Sequence, residues 1–168
     1  MKKSAYRRLS LLRLSLLFFL AIGSLATAAA FDFKPYRRGD FAQIVGAHAG
    51  RPLILHYWSV ACPACVAELG QWGKLIGERK DIDIIFINTD DEDDRARAVA
   101  RLEKSSLLEA VHYGFADSFS EKLYYETDKN WRGELPFTAL IAPNRPHVTV
   151  TGAVTDPAFI AWLASVKP

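Results

Sequence analysis

The sequence predicts an α/β fold with a mixed central sheet, assembled from a βαβ unit followed by an antiparallel hairpin and a C-terminal helix. Three observations carry this. The apolar runs Leu53–Trp58 and Ile82–Asn88 have the length of buried strands, and the second is dense in isoleucine, as a parallel strand covered on both faces should be. Between them Val66, Leu69, Trp72, Leu75 and Ile76 recur at helical steps, so one amphipathic helix to about Arg79 crosses from the first strand to the second. Later, Phe137–Ala142 and His147–Thr151 flank the turn residues Pro143-Asn144-Arg145 and read as a hairpin.

The remaining elements follow in chain order. Lys2, Lys3, Arg7, Arg8 and Arg13 make a basic start, Leu14–Leu25 is apolar, and Ala26-Thr27-Ala28-Ala29-Ala30 offers small residues for cleavage before Phe31. That is the order of a secretory signal in residues 1–30, leaving residues 31–168 as one domain. Leu14–Ala30 also reaches about 17 residues, the lower limit for a membrane helix, so an uncleaved membrane anchor is the alternative. Arg7-Arg8 fits an ordinary basic start or a twin-arginine signal. With cysteines only at 62 and 65, the signal carries none for lipid attachment.

Phe31–Gly50 is a lead-in, with Asp40-Phe41-Ala42-Gln43 reading as a capping box before a short helix and Arg51-Pro52 closing it. Further helices are expected from about Asp93 to Lys104 and from Ser118 to Glu126. Asp156 caps a last one from Pro157 to about Val166. The formal charge of +2 is a product of the signal, because the first thirty residues hold five cations and no acid. From Phe31 onward acids outnumber bases, which excludes the basic stripe that nucleic-acid binding requires.

Chemistry concentrates in Cys62-Pro63-Ala64-Cys65, which holds the only two cysteines, at a strand-to-helix junction. There the backbone N–H groups and dipole of the helix favour the thiolate of Cys62, while Cys65 lies about one turn inside. Pro63 suits the first turn, where its missing N–H has no intrahelical acceptor to lose. Export implies an oxidising compartment. A bridge between residues so close constrains the unfolded chain little, which argues against a structural staple. Cys62 is therefore the candidate nucleophile and Cys65 the resolving thiol. A zinc site would need about four ligands, and His48, His56, His112 and His147 are not spaced to complete one.

Two segments carry a family resemblance. Trp58-Ser59-Val60-Ala61-Cys62-Pro63-Ala64-Cys65-Val66-Ala67-Glu68-Leu69 resembles the active-site segment of thioredoxin-fold proteins, and its Glu68-Leu69 pair is similar to the TlpA/ResA-type thiol-disulfide oxidoreductases of bacterial envelopes. Gly133-Glu134-Leu135-Pro136-Phe137-Thr138-Ala139-Leu140-Ile141 resembles the family's cis-proline loop. The resemblance implies a thioredoxin-like three-layer α/β/α sandwich and a cis bond at Leu135-Pro136. It also implies that the backbone of Leu135 and Pro136 pairs with an extended partner, that Pro136 keeps metals off the thiols, and that Pro63 and Ala64 join the partner-contacting set. The expected activity is reduction of periplasmic protein disulfides without a cofactor, with electrons from a membrane-bound donor. Disulfide oxidation and a non-catalytic Cu(I)-binding module on the same cysteines are the alternatives. Three positions depart from the pattern: Ala61 where tryptophan is common, Gly70 where a kinking proline is common, and His56 where thioredoxin has a buried acid.

Alternation along the first strand puts His56 on the face of Ile54 and Trp58. It reads either as a proton relay beneath the dithiol or as a core histidine with a satisfied hydrogen bond. Glu68 reads as an electrostatic tuner of the thiols or, by default, as a solvated early-helix acid. The run Asp90-Asp91-Glu92-Asp93-Asp94 lacks the glycine of a calcium loop and reads as a solvated helix start. Phe115, Phe119, Tyr124, Tyr125 and Trp131 are expected in the core, with a partner-binding rim as the alternative and Trp131 its chief candidate.

Overall fold

The computed structural model describes residues 31–166, so the signal read in residues 1–30 lies outside it. In chain order the described elements are β1 (Lys34–Tyr36), α1 (Asp40–Ala47), β2 (Leu53–Trp58), α2 (Pro63–Glu78), β3 (Asp83–Asn88) and α3 (Arg95–Lys104). There follow β4 (Val111–Phe115), α4 (Ser120–Thr127), β5 (Phe137–Ile141), β6 (Val148–Thr151) and α5 (Pro157–Ser165). The sheet order is β1-β4-β3-β2-β5-β6; β1 to β4 run parallel, and β5 and β6 are antiparallel to their neighbours. The βαβ unit, the hairpin and the last helix therefore stand where the sequence puts them.

Alternating side chains divide the core between the two sheet faces. Ile54, Trp58, Phe86, Leu140 and Val150 meet Leu69 and Trp72 of α2, Ala98 and Leu102 of α3, and Phe159 and Trp162 of α5. On the other face Leu53, Leu55, Tyr57, Ile85, Ile87 and Ala139 meet Ile44 of α1 and Leu123 of α4. Two helical layers enclosing one mixed sheet make the three-layer α/β/α sandwich. β2 is buried along its whole length, because it lies between β3 and β5 under both layers.

Two strands escape the sequence pattern. β1 has three residues, of which only Tyr36 is buried, too few to show a period. β4 reads Val-His-Tyr-Gly-Phe, and its apolar run is broken at Gly114, where a Cβ would meet the Arg95 guanidinium at 2.9 Å. Local departures also occur at helix starts. The capping box does not form: Gly39, at φ 89°, precedes α1, while Asp40 is helical and accepts from Arg37 N–H at 2.7 Å. A short 3₁₀ turn at Glu92–Asp94 precedes α3. The cap on α5 does form, with Asp156 Oδ1 accepting from Ala158 N–H at 2.8 Å and Pro157 opening the helix.

Candidate active site at the carboxyl edge of the sheet

β2 delivers the chain to the carboxyl edge of the sheet, and four residues later α2 begins with Cys62 as its N-cap. Cys62 is extended, at φ −99° and ψ 104°, so its Sγ turns back over the first helical turn and accepts from Cys65 N–H at 3.1 Å. Pro63 holds the first helical position, as its fixed φ favours. The cysteines form a disulfide with Cα atoms 5.3 Å apart. Cys65 is fully buried, whereas Cys62 is half-buried and flanked by exposed Ala61, Pro63 and Ala64. Attack from outside can therefore reach Cys62 and not Cys65.

The proline loop reaches the same edge. Register places Phe137 opposite Tyr57, so Leu135 and Pro136 enter β5 beside the point where β2 leaves for Cys62. The Leu135-Pro136 bond is cis. Pro136 is buried and its carbonyl accepts from Gly152 N–H at 2.9 Å, while Leu135 is half-buried against the α2-side core that Cys62 also contacts.

Beneath the dithiol lies a buried polar group that the sequence default missed. Glu68 is not a solvated acid: it is 2 % exposed, one turn beyond Cys65 on the inner face of α2. Its Oε2 accepts from Val154 N–H at 2.8 Å, its Oε1 accepts from Trp72 Nε1 at 3.3 Å, and His56 Nε2 lies 3.3 Å from Oε1 without the alignment of a hydrogen bond. His56 is fully buried, with Nδ1 3.0 Å from Thr138 Oγ1 and its ring centroid 4.3 Å from that of Trp72. Burial pushes the His56 imidazole down to about 3, so the ring is neutral at physiological pH. Burial also raises the Glu68 carboxyl above its ordinary value, against the lowering effect of the Val154 and Trp72 N–H donors. His56 is thus a core histidine hydrogen-bonded to Thr138, with its Nε2 edge near the Glu68 carboxyl.

Trp131 is not a partner-contacting rim residue. It is 3 % exposed, stacks on Phe137 with centroids 4.0 Å apart, and donates from Nε1 to the Glu134 carbonyl at 2.8 Å. It supports the proline loop from inside. Of the other aromatics in that group Phe115 is buried, while Phe119 and Tyr125 are 60 % and 65 % exposed. The acidic run is also divided: Asp90 is 7 % exposed and faces the segment leading into Cys62, and the acids from Asp91 to Asp93 are exposed. Thr138 and Val154 were not legible as site residues. Thr138 could have been marked, since it stands two positions after Pro136 on an inward strand face, but Val154 contributes only its backbone.

No protein-family model matches the chain, and no curated protein matches it. Solved structures do resemble it. A secreted disulfide oxidoreductase of Mycobacterium tuberculosis, homologous to E. coli DsbE, is 15 % identical over 72 % of this chain and 86 % of that one, with a TM-score of 0.57. StoA of Bacillus subtilis is 20 % identical over 68 % and 84 %, with a TM-score of 0.52. The exposed lipoprotein thioredoxin of Streptococcus pneumoniae is 19 % identical over 73 % and 90 %, also at 0.52. The chain therefore has the thioredoxin-like fold of these proteins, with its only two cysteines joined at the helix mouth on the carboxyl edge of the sheet.

Proposed function

We propose that this chain is an exported thiol-disulfide oxidoreductase that reduces disulfides of periplasmic proteins. Residues 1–30 are its export signal, and a membrane-bound donor returns its electrons. The observation that carries the reading is the placement of Cys62: half-exposed at the mouth of α2, bonded to a fully buried Cys65, at the edge where the cis Leu135-Pro136 bond enters β5. In the reduced protein, the Cys62 thiolate attacks one sulfur of the partner's disulfide, and the other partner sulfur leaves as a thiolate that takes up a proton. Cys65 then loses its proton and attacks Cys62 Sγ; the mixed disulfide breaks, the Cys62–Cys65 bond forms, and the partner departs with two electrons as a dithiol. Leu135 offers its backbone to the extended partner segment, with Pro63 and Ala64 on the opposite rim. Glu68 receives the Cys65 proton, its carboxylate held in place by Val154 N–H and Trp72 Nε1.

The direction of transfer depends on potential, where about 30 mV corresponds to 1.4 kcal/mol. Equilibration of the full chain from Phe31 onward with glutathione buffers, together with an insulin-reduction assay, is the test. The expected result is turnover of insulin and a potential between about −200 and −270 mV. A potential near about −120 mV would instead assign disulfide oxidation, and stoichiometric copper without any insulin reduction would assign a metal-binding module.

A further inference from the structure

We propose that Asp90, acting through Ser59, is a positioning residue for Cys62; the proposal rests on the dithiol reading above. β2 ends at Trp58, and the connector Ser59–Cys62 must carry the chain from the sheet into α2 with its backbone donors satisfied. Three successive N–H groups of this connector find partners in one small network. Val60 N–H donates to Asp90 Oδ2 at 2.9 Å, Ala61 N–H donates to Ser59 Oγ at 2.9 Å, and Cys62 N–H donates to the Ser59 carbonyl at 3.2 Å. Ser59 Oγ in turn donates to Asp90 Oδ1. Asn88 fixes the carboxylate from below, with Nδ2 donating to Oδ2 at 2.6 Å, and Thr89 N–H ties the exit of β3 to the Trp58 carbonyl at 2.9 Å. Asp90 and Ser59 are each 7 % exposed and Asn88 is fully buried.

Asp90 reaches neither sulfur in this network. What it fixes is the path of the connector, and the path decides where Cys62 Sγ points. The helix N-terminus favours a thiolate only over its first turn, and the Sγ contact with Cys65 N–H at 3.1 Å requires Cys62 to stay extended at the N-cap. A connector released from Asp90 and Ser59 lets Sγ swing away from those donors. The parallel register makes the arrangement possible, since Asn88 lies beside Trp58 and Asp90 therefore lies beside the connector.

The geometry also separates position from charge. In Asp90→Asn the side-chain oxygen can accept from Val60 N–H and Asn88 Nδ2, and the amide can donate to Ser59 Oγ, so each heavy-atom contact survives without the carboxylate. Asp90→Ala loses them all. Ser59→Ala removes only a hydroxyl, which keeps the test available if Asp90→Ala does not fold. The experiment is iodoacetamide labelling of the reduced full chain from Phe31 onward against pH, with labelled Cys62 quantified by mass spectrometry and folding checked by thermal melting. At pH 7 the expected labelling rate of Cys62 falls about tenfold in Asp90→Ala and about threefold in Ser59→Ala, with the titration moved to higher pH, and stays within about twofold in Asp90→Asn. Wild-type rates and titrations in folded Asp90→Ala and Ser59→Ala overturn the proposal, as does a loss in Asp90→Asn equal to that in Asp90→Ala. Failure of the dithiol reading shows separately, as a wild-type Cys62 no more reactive than a free thiol; it removes both, whereas a reactive wild type with unchanged variants removes the positioning role alone.

Discussion

Cys62→Ser abolishes disulfide exchange, and Cys65→Ser leaves the protein joined to its partner through Cys62. The two outcomes differ because the sulfurs differ in access: Cys62 is half-exposed at the helix mouth and Cys65 is fully buried behind it. Without Cys62 no attacking thiolate is reachable, so insulin reduction falls by about three orders of magnitude or more. Without Cys65 the first attack proceeds, but no internal thiolate remains to release the partner. Non-reducing electrophoresis after quenching in acid reads this directly, as a species of added mass in Cys65→Ser that disappears with reductant. Equal capture by Cys62→Ser would assign the attack to the wrong sulfur.

Glu68→Ala lowers the stability of the fold by about 3 kcal/mol. The substitution leaves a void under α2 and removes the acceptor of two groups, Val154 N–H and Trp72 Nε1. Glu68→Gln fills the same volume, keeps an acceptor for Val154 N–H and loses less. The two buried groups act on stability with opposite pH dependence. Because the folded Glu68 value is raised, its contribution is present below its ordinary 4.5 and is lost as pH rises through the folded value. Because the folded His56 value is depressed, its contribution is present above its ordinary 6.5 and is lost as pH falls toward about 3, where the unfolded chain takes a proton that the buried ring refuses. His56→Gln therefore flattens the acid side of the stability curve by up to about 1.4 kcal/mol per pH unit. Urea unfolding of the three variants between pH 4 and 8 measures both effects, and an unchanged slope in His56→Gln would contradict the neutral, buried imidazole. In stopped-flow measurements Glu68→Gln slows release of the partner and leaves its capture unchanged, as expected of a group that takes the Cys65 proton.

The elements that position the dithiol were legible because each has an unambiguous period: an apolar strand at Leu53–Trp58, a helical stripe from Val66 to Ile76, and a second strand ending at Asn88. β1 and β4 were not. A three-residue edge strand has no period to read, and β4 is interrupted at Gly114 because a guanidinium from α3 occupies the space of a side chain. The buried acids were hidden for a common reason. Glu68 keeps step with Cys65 and Leu69 on one helical face, yet a carboxylate there defaults to solvent unless its donors are known. Those donors are a tryptophan one turn on and a backbone N–H in a loop distant in sequence. Asp90 was masked by the acids beside it, and only the register of β3 against β2 sets it apart. Trp131, singled out in the sequence as the rim candidate, is buried, and its role as a support for the proline loop depends on stacking with Phe137 that no local pattern encodes.

The rate at which Cys62 and Cys65 are alkylated in the reduced full chain, followed as a function of pH, tests the central claim most directly. The account predicts that Cys62 ionises below the ordinary thiol value of about 8.5 and reacts at least about tenfold faster than Cys65 at pH 7. A Cys62 that titrates at about 8.5 or higher, and reacts no faster than a free cysteine, would contradict it.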